Sequence, residues 1–323
     1  MSGNEYMRAA VVEGPGKLRF DRVEVPIPGP TEIRVKLEGC GVCVSNLATW
    51  DGMPWTQYPT EPGALGHEGW GIIDALGEDA GEFQVGERVA TISYHAYAEF
   101  DLASKDAVVK LPRFGDYAFP GEALGCAVNI FRRSGICAGQ TVSIIGIGFL
   151  GAILTRLTSN AGARVIAISR RSCSLRTARM MGAAETIPMI HHSKIIEQVT
   201  SLTNGHLCDC VIEAVGKQWP LDLAAELVRE RGRLVVAGYH QDGPRQVNMQ
   251  LWNWKGLDVI NAHERELSAY AAGIQAAVDL VATRQLDPSA LFTHRFPLED
   301  LGAALDATRD KPEGFIKALI VYG

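Results

Sequence analysis

Three glycine-flanked runs carry side chains of the types that ligate metal ions. They are Gly39-Cys40-Gly41-Val42-Cys43-Val44-Ser45-Asn46, Gly66-His67-Glu68, and Gly121-Glu122-Ala123-Leu124-Gly125-Cys126. Cys43 offers a soft thiolate and His67 an imidazole, and either Glu122 or Cys126 completes a set of three. Three protein ligands leave a fourth position open, as catalytic zinc requires. Such an ion polarises an alcohol or carbonyl oxygen. Spacing alone also suits a plain interior, because buried cysteine is among the commonest core residues.

A second constellation follows an apolar run. Thr141 to Ile145 leads directly into Gly146-Ile147-Gly148-Phe149-Leu150-Gly151, a G-x-G-x-x-G spacing that opens a helix-like segment. The first glycine permits a tight turn, the second admits a pyrophosphate close to the backbone, and the third lets helix and strand pack. Free amides at the helix start then face phosphate oxygens. The next strand ends at Ser169-Arg170-Arg171, where an NAD site usually carries Asp or Glu for the ribose hydroxyls. A small hydroxyl and two guanidinium groups suit a 2′-phosphate instead. NADP(H) is therefore favoured over NAD(H); solvated loop arginines are the plainer reading.

The elements that must hold these residues change character near residue 120. Before it, Arg8 to Glu13, Glu32 to Glu38, Trp70 to Leu76 and Arg88 to Ser93 read as short strands, with Pro26, Pro28 and Pro30 marking a turn-rich connection. This half predicts an antiparallel barrel or partly open β structure. After it, strands at Thr141 to Gly146, Arg164 to Ser169, Cys208 to Gly216, Gly232 to Gly238 and Leu257 to Ala262 alternate with helical segments. Those segments are Phe149 to Ala161, Ser174 to Met181 and Leu221 to Arg229. Apolar strands alternating with helices predict a parallel sheet covered on both faces. A long amphipathic stretch, Glu266 to Thr283, follows, and the terminal FIKALIVYG returns to the first half. The expected division is residues 1–119 with 264–323, and residues 120–263. His191 and His192 fall in what reads as a polar linker. No partner is legible for His240, His263 or His294.

Composition excludes several classes. The 323 residues are 47% hydrophobic and 21% charged, with 37 acids against 31 bases. Disorder does not fit so apolar a chain of low net charge. Nucleic-acid binding is not expected of an acidic chain. No apolar run reaches the ~18 residues of a membrane span, and MSGNEYMRAAVVEG lacks the apolar centre of a secretory signal. The seven cysteines are odd in number and scattered, which fits a reducing cytoplasm better than a disulfide framework.

Across nearly its whole length the chain resembles the medium-chain dehydrogenase/reductase superfamily, in particular its zinc-dependent alcohol, sorbitol and threonine dehydrogenases. GVCVSN (Gly41 to Asn46), GHEGWG (Gly66 to Gly71), VGERV (Val85 to Val89), HAYAEFDLASKDAVVKLP, the glycine fingerprint, VIEAVG and the terminal GFIKALI carry the likeness. It implies a Rossmann doubly wound parallel sheet joined to a GroES-like β-rich catalytic domain. It implies one catalytic zinc on Cys43, His67 and Glu122, with Cys126 turned to the nicotinamide, or itself the third ligand. Glu68 swaps in as a ligand or supports the histidine. Ser45 matches the residue that hydrogen-bonds the substrate oxygen, and Ala48 stands where several relatives carry a relay histidine. Asn46 replaces an aspartate that orients the zinc histidine and pairs with a basic residue, here Lys317, which also reaches the cofactor pyrophosphate. Trp50, Trp55, Tyr58 and Tyr94 are read as pocket-lining or packing residues, and His95 by default as a surface or packing residue, with a substitute relay as the alternative. The four-cysteine lobe of a structural zinc is missing between Gly86 and Val108.

The implied activity is hydride transfer between a nicotinamide cofactor and a small alcohol, ketone or aldehyde, by a homodimer or homotetramer. Two other readings stand beside it: a zinc-free quinone or enone reductase, which would lack the Cys and GHE pair, and a non-catalytic nucleotide-binding relative.

Overall fold

The computed structural model describes residues 5–112 and 117–323. The start of the segment weighed as a leader, residues 1–4, lies outside them. The chain divides into two compact units, Met1–Gly125 with Arg265–Gly323, and Cys126–Glu264.

The first unit begins with β1 (Tyr6–Gly14) and β2 (Lys17–Glu24), an antiparallel hairpin. Sequence reading passed over β2 because its residues, KLRFDRVE, are mostly charged and none is fully buried. β3 (Glu32–Gly41) is the centre of the unit's sheet, with Ile33, Val35 and Leu37 alternating inward. Each such buried aliphatic contributes roughly 1.5–3 kcal/mol. After the short α1 (Leu47–Trp50) come β4 (Gly69–Leu76), β5 (Arg88–Thr91), β6 (Phe100–Ser104) and β7 (Val108–Lys110). β3 pairs antiparallel with β4 and β6, and β5 pairs antiparallel with both β4 and β7.

Helix α2 (Gly121–Ser134) carries the unit boundary. The second unit runs β8 (Thr141–Ile145), α3 (Phe149–Asn160), β9 (Arg164–Ser169), α4 (Ser172–Met180), β10 (Glu185–Pro188), α5 (His192–Leu202) and β11 (Cys208–Glu213). It ends with α6 (Gln218–Leu227), β12 (Val228–Val236), α7 (Met249–Lys255) and β13 (Asp258–Asn261). The strands form one parallel sheet in the order β10-β9-β8-β11-β12-β13. Chain order reverses direction between β8 and β11, which makes that pair the switch point.

Two local expectations are corrected. The segment read as a polar linker around His192 begins α5, whose Ile195 and Val199 are buried. The His192 ring lies 5.1 Å from that of Trp219 and is only partly exposed; helical periodicity there is masked by the polar Ser-Lys and Glu-Gln between the apolar positions. The helix expected at Leu221 to Arg229 starts earlier and stops at Leu227, and Val228 already belongs to β12. Apolar residues at a helix–strand junction satisfy both periods.

The chain then supplies α8 (Leu267–Ala282), β14 (His294–Phe296), α9 (Leu301–Asp310) and β15 (Ala318–Val321) to the first unit. β15 pairs antiparallel with β3 and parallel with β14. The opening turn of α2 is pressed against α8: a Cβ on Gly125 would stand 2.7 Å from the Ile274 backbone nitrogen. No helix among the described residues is long and apolar enough to cross a membrane.

Candidate functional site

Two strand ends bring the first constellation together. The end of β3 is fixed by Gly41 N–H donating to Glu68 O at 3.1 Å and Val42 N–H donating to Ala318 O at 3.0 Å. Cys43 then caps a one-turn 3-10 helix, Val44–Asn46. His67 and Glu68 enter β4 through a turn in which Leu65 has φ of 78°. Gly66 lies where a Cβ would be 2.5 Å from Tyr97 N.

The ligand atoms of Cys43, His67 and Glu68 all lie within 4.8 Å of one another. His67 Nδ1 sits 2.9 Å from Leu65 O. A carbonyl only accepts, so Nδ1 carries the proton and Nε2 is left as the ligating nitrogen. Glu68 is 1% exposed. Lys317 Nζ donates to its Oε1 at 2.7 Å and stands 2.6 Å from Oε2 as an ion pair. The Lys317 ammonium thus bridges both oxygens of the buried carboxylate. A soft sulfur, an imidazole nitrogen and a buried carboxylate oxygen together fit a zinc ion.

Glu122, in the first turn of α2, is not in that tight trio but belongs to the same electrostatic cluster. Burial pushes its carboxyl up; His67 and Lys317 pull it down and Glu68 raises it, leaving it at about 7. Burial opposes the charged His67, but Cys43, through charge and a hydrogen bond, then Glu122 and Glu68, lift it to about 10. Burial also disfavours the Lys317 ammonium, and Glu68, Cys43 and Glu122 outweigh it, so its pKa rises.

Several expected roles take a different form. Lys317, expected against Asn46 and the pyrophosphate, is buried and gives its ammonium to Glu68. Asn46 acts through the backbone: its Nδ2 donates to Leu65 O at 2.8 Å, and its Oδ1 accepts from Cys43 N at 3.2 Å and from Tyr97 Oη at 2.9 Å. One amide thus ties the cysteine loop to the carbonyl that orients His67. Tyr97 was not singled out; nothing local in HAYAEF marks a tyrosine that a distant loop will bury. Trp50 is a core residue whose Nε1 donates to Asp306 Oδ1 at 2.9 Å, and Tyr58 Oη donates to Thr49 O. His95 pairs with Glu61 at 2.9 Å. Tyr94 is 64% exposed, with its ring 6.3 Å from that of His67, and Trp55 is exposed. Ser45 is half-buried on the Cys43 turn, and Cys126 half-buried on α2.

In the second unit the glycine turn has the geometry its spacing implies. Gly146 has φ of 97°, and a Cβ there would stand 2.4 Å from Val215 Cγ2. A Cβ on Gly151 would lie 2.0 Å from Gly146 O, so α3 can start this close only with glycine. A Cβ on Gly148, which caps α3, would meet nothing within 4 Å. The space over the helix start is open to a phosphate. Phe149 is buried and Leu150 half-buried. Ser169 is buried at the end of β9, Arg170 is exposed, and Arg171 is half-buried as the cap of α4.

Comparison with known proteins agrees with this architecture. Residues 29–126 match the alcohol dehydrogenase GroES-like domain, and residues 150–283 match the zinc-binding dehydrogenase family. Sorbitol dehydrogenase of Gallus gallus is 26% identical over 342 residues, covering 93% of each chain. D-xylulose reductase of Saccharomyces cerevisiae is 26% identical over 351 residues, covering 97% of each. Among solved structures, alcohol dehydrogenase TADH from Thermus sp. ATN1 superposes with a TM-score of 0.82 at 25% identity, over 98% of this chain and 100% of that one. A putative zinc-binding dehydrogenase from Sinorhizobium meliloti 1021, bound to NADP, superposes at 0.85 with 24% identity, over 98% of this chain and 99% of that one.

The chain belongs to the medium-chain dehydrogenase/reductase superfamily. Its two units are a GroES-like β-rich domain and a Rossmann doubly wound parallel sheet.

Proposed function

We propose that this protein is a zinc-dependent oxidoreductase that transfers a hydride between a nicotinamide cofactor and a small alcohol, ketone or aldehyde. The observation that carries the reading is the convergence of Cys43, His67 and the buried Glu68, whose ligand atoms all lie within 4.8 Å of one another. One zinc ion would be held by Cys43 and His67, with Glu68 or Glu122 as the carboxylate ligand, and would supply Lewis acidity. The roles of the remaining residues follow from their own chemistry. Leu65 O fixes the His67 tautomer, and Asn46 fixes Leu65. Lys317 balances one of the two carboxylates, so the centre keeps excess negative charge for a divalent cation. Ser45 Oγ, two residues from the thiolate, would accept a hydrogen bond from a substrate hydroxyl and relay its proton onward to water by giving up its own.

NADP(H) is the cofactor favoured by this reading. Gly146, Gly148 and Gly151 shape the pyrophosphate turn with Phe149 and Leu150, and Ser169, Arg170 and Arg171 meet the 2′-phosphate. Cys126 would face the nicotinamide.

The same proposal includes a homo-oligomer, a dimer or tetramer, joined at β13. That strand pairs only with β12 among the described residues. The opposite edge, β10, ends in Pro188, which has no N–H to offer a partner strand. None of the seven cysteines is joined in a disulfide among the described residues, and a reducing, cytoplasmic setting is part of the same proposal.

The experiment is metal analysis of purified enzyme and of Cys43→Ala. The parent should carry one zinc per chain, and Cys43→Ala should lose both zinc and turnover while keeping its far-ultraviolet circular dichroism. A metal-free but fully active parent would overturn the reading.

A further inference from the structure

At the end of β11 the sheet carries a hydrogen-bonded cluster used by neither the metal centre nor the glycine turn. Glu213 is 0% exposed, an acid at the end of a buried strand. A buried carboxylate is costly unless its lone pairs are claimed. Its Oε1 accepts the backbone N–H groups of Val215 at 2.7 Å and Gly216 at 2.8 Å. Its Oε2 lies 2.9 Å from His240 Nε2. On the other side of the ring, Arg245 Nε donates to His240 Nδ1 at 2.8 Å. A guanidinium nitrogen can only donate, so Nδ1 is unprotonated. Nε2 therefore carries the proton and donates to Glu213. His240 is a neutral imidazole held in one tautomer between an anion and a cation. Arg245 is itself fixed, donating to Gly216 O at 2.9 Å and pairing with Asp242, which also pairs with Lys217 at 2.5 Å.

The cluster fixes backbone. Ala237 and Gly238 N–H both donate to Glu213 O, at 2.8 and 2.9 Å. The turns after β11 and β12 touch so closely that a Cβ on Gly238 would lie 2.2 Å from Gly216 N. His240 adopts φ of 50°, a left-handed conformation that a non-glycine residue keeps only when its surroundings enforce it. Val215, whose amide Glu213 holds, packs against Gly146 of the glycine turn. All three turns therefore lie at the carboxyl ends of β8, β11 and β12, around the switch point where such sheets bind dinucleotides.

We infer that His240, clamped between Glu213 and Arg245, is a positioning residue for the nicotinamide cofactor. It locks the turns after β11 and β12 into the shape that receives the dinucleotide, without touching the reacting atoms. The inference rests on the dinucleotide reading above. NADPH fluorescence titration of the zinc-loaded full-length protein tests it. His240→Ala should bind NADPH about tenfold more weakly, the scale of one lost charge-assisted hydrogen bond. Zinc content and the substrate KM at saturating cofactor should not change. His240→Gln, whose amide can both donate and accept, should recover most of the affinity. Unchanged NADPH affinity in His240→Ala would overturn the inference, as would equal weakening in His240→Gln. If His240→Ala does not fold, Arg245→Met takes its place: weaker NADPH binding at full zinc content supports the clamp, and parental affinity overturns it. A parent that binds neither NADPH nor NADH would instead sink the dinucleotide reading.

Discussion

Gly41 and Glu68 compete for one space, since a Cβ at residue 41 would stand 1.8 Å from Glu68 Oε2. The glycine of the GVC motif is therefore required by a carboxylate that reaches it from the next motif. The same carboxylate draws in Lys317, 249 residues away in sequence. Breaking a buried ion pair by removing one partner leaves an uncompensated charge and costs about 3–5 kcal/mol. Lys317→Met should lose that much stability in chelator-stripped protein, and measurably less when zinc is present to neutralise Glu68. Denaturant unfolding with and without chelator measures the difference; an identical loss in both conditions would separate Glu68 from the metal. Cys43, His67, Glu68 and Glu122 were legible as a group because ligand chemistry is restricted to few residue types. Asn46, Tyr97 and the Leu65 carbonyl were not legible as its supports, because their roles depend on which backbone groups the fold brings opposite them.

Among the elements, the turn from β9 into α4 is the one on which the proposed NADP(H) preference rests. Ser169 ends the strand inside the sheet, and Arg170 and Arg171 follow before the helix begins. A guanidinium gains far more from a phosphate dianion than from a ribose hydroxyl. Arg170→Ala combined with Arg171→Ala should weaken NADPH by about a hundredfold, at about 1.4 kcal/mol for each lost charged contact, while NADH changes less than threefold. Comparative titration with the two cofactors checks it, and equal losses would refute the phosphate clamp. Elements whose apolar residues keep one period were legible to within a residue or two, as β9 and α3 show. Those whose burial comes from a partner were not. β2 is a strand because β1 lies beside it, and α5 is a helix over a core that local polarity hides.

At the scale of the whole molecule, the parallel sheet leaves β13 without a neighbour on its outer side among the described residues. Val259 on that strand is 37% exposed, and Trp254 just before it is 82% exposed. An uncovered edge strand is a template for another chain. Val259→Lys should shift the protein toward monomer in sedimentation velocity at unchanged far-ultraviolet circular dichroism. A monomeric parent would remove the proposed homo-oligomer.

From the order of residues alone came the alternation of apolar strands and helices, the glycine turn, and a short roster of ligand-capable side chains. These are local properties: period, turn chemistry and donor type are written within a dozen residues of each other. Tertiary structure decided that Lys317 serves Glu68, that Asn46 works through a carbonyl, and that His240 is wedged between Glu213 and Arg245. Those are long-range pairings, and a buried polar group takes whichever partner the packed backbone delivers, because leaving it unpaired costs more than any local preference can offset.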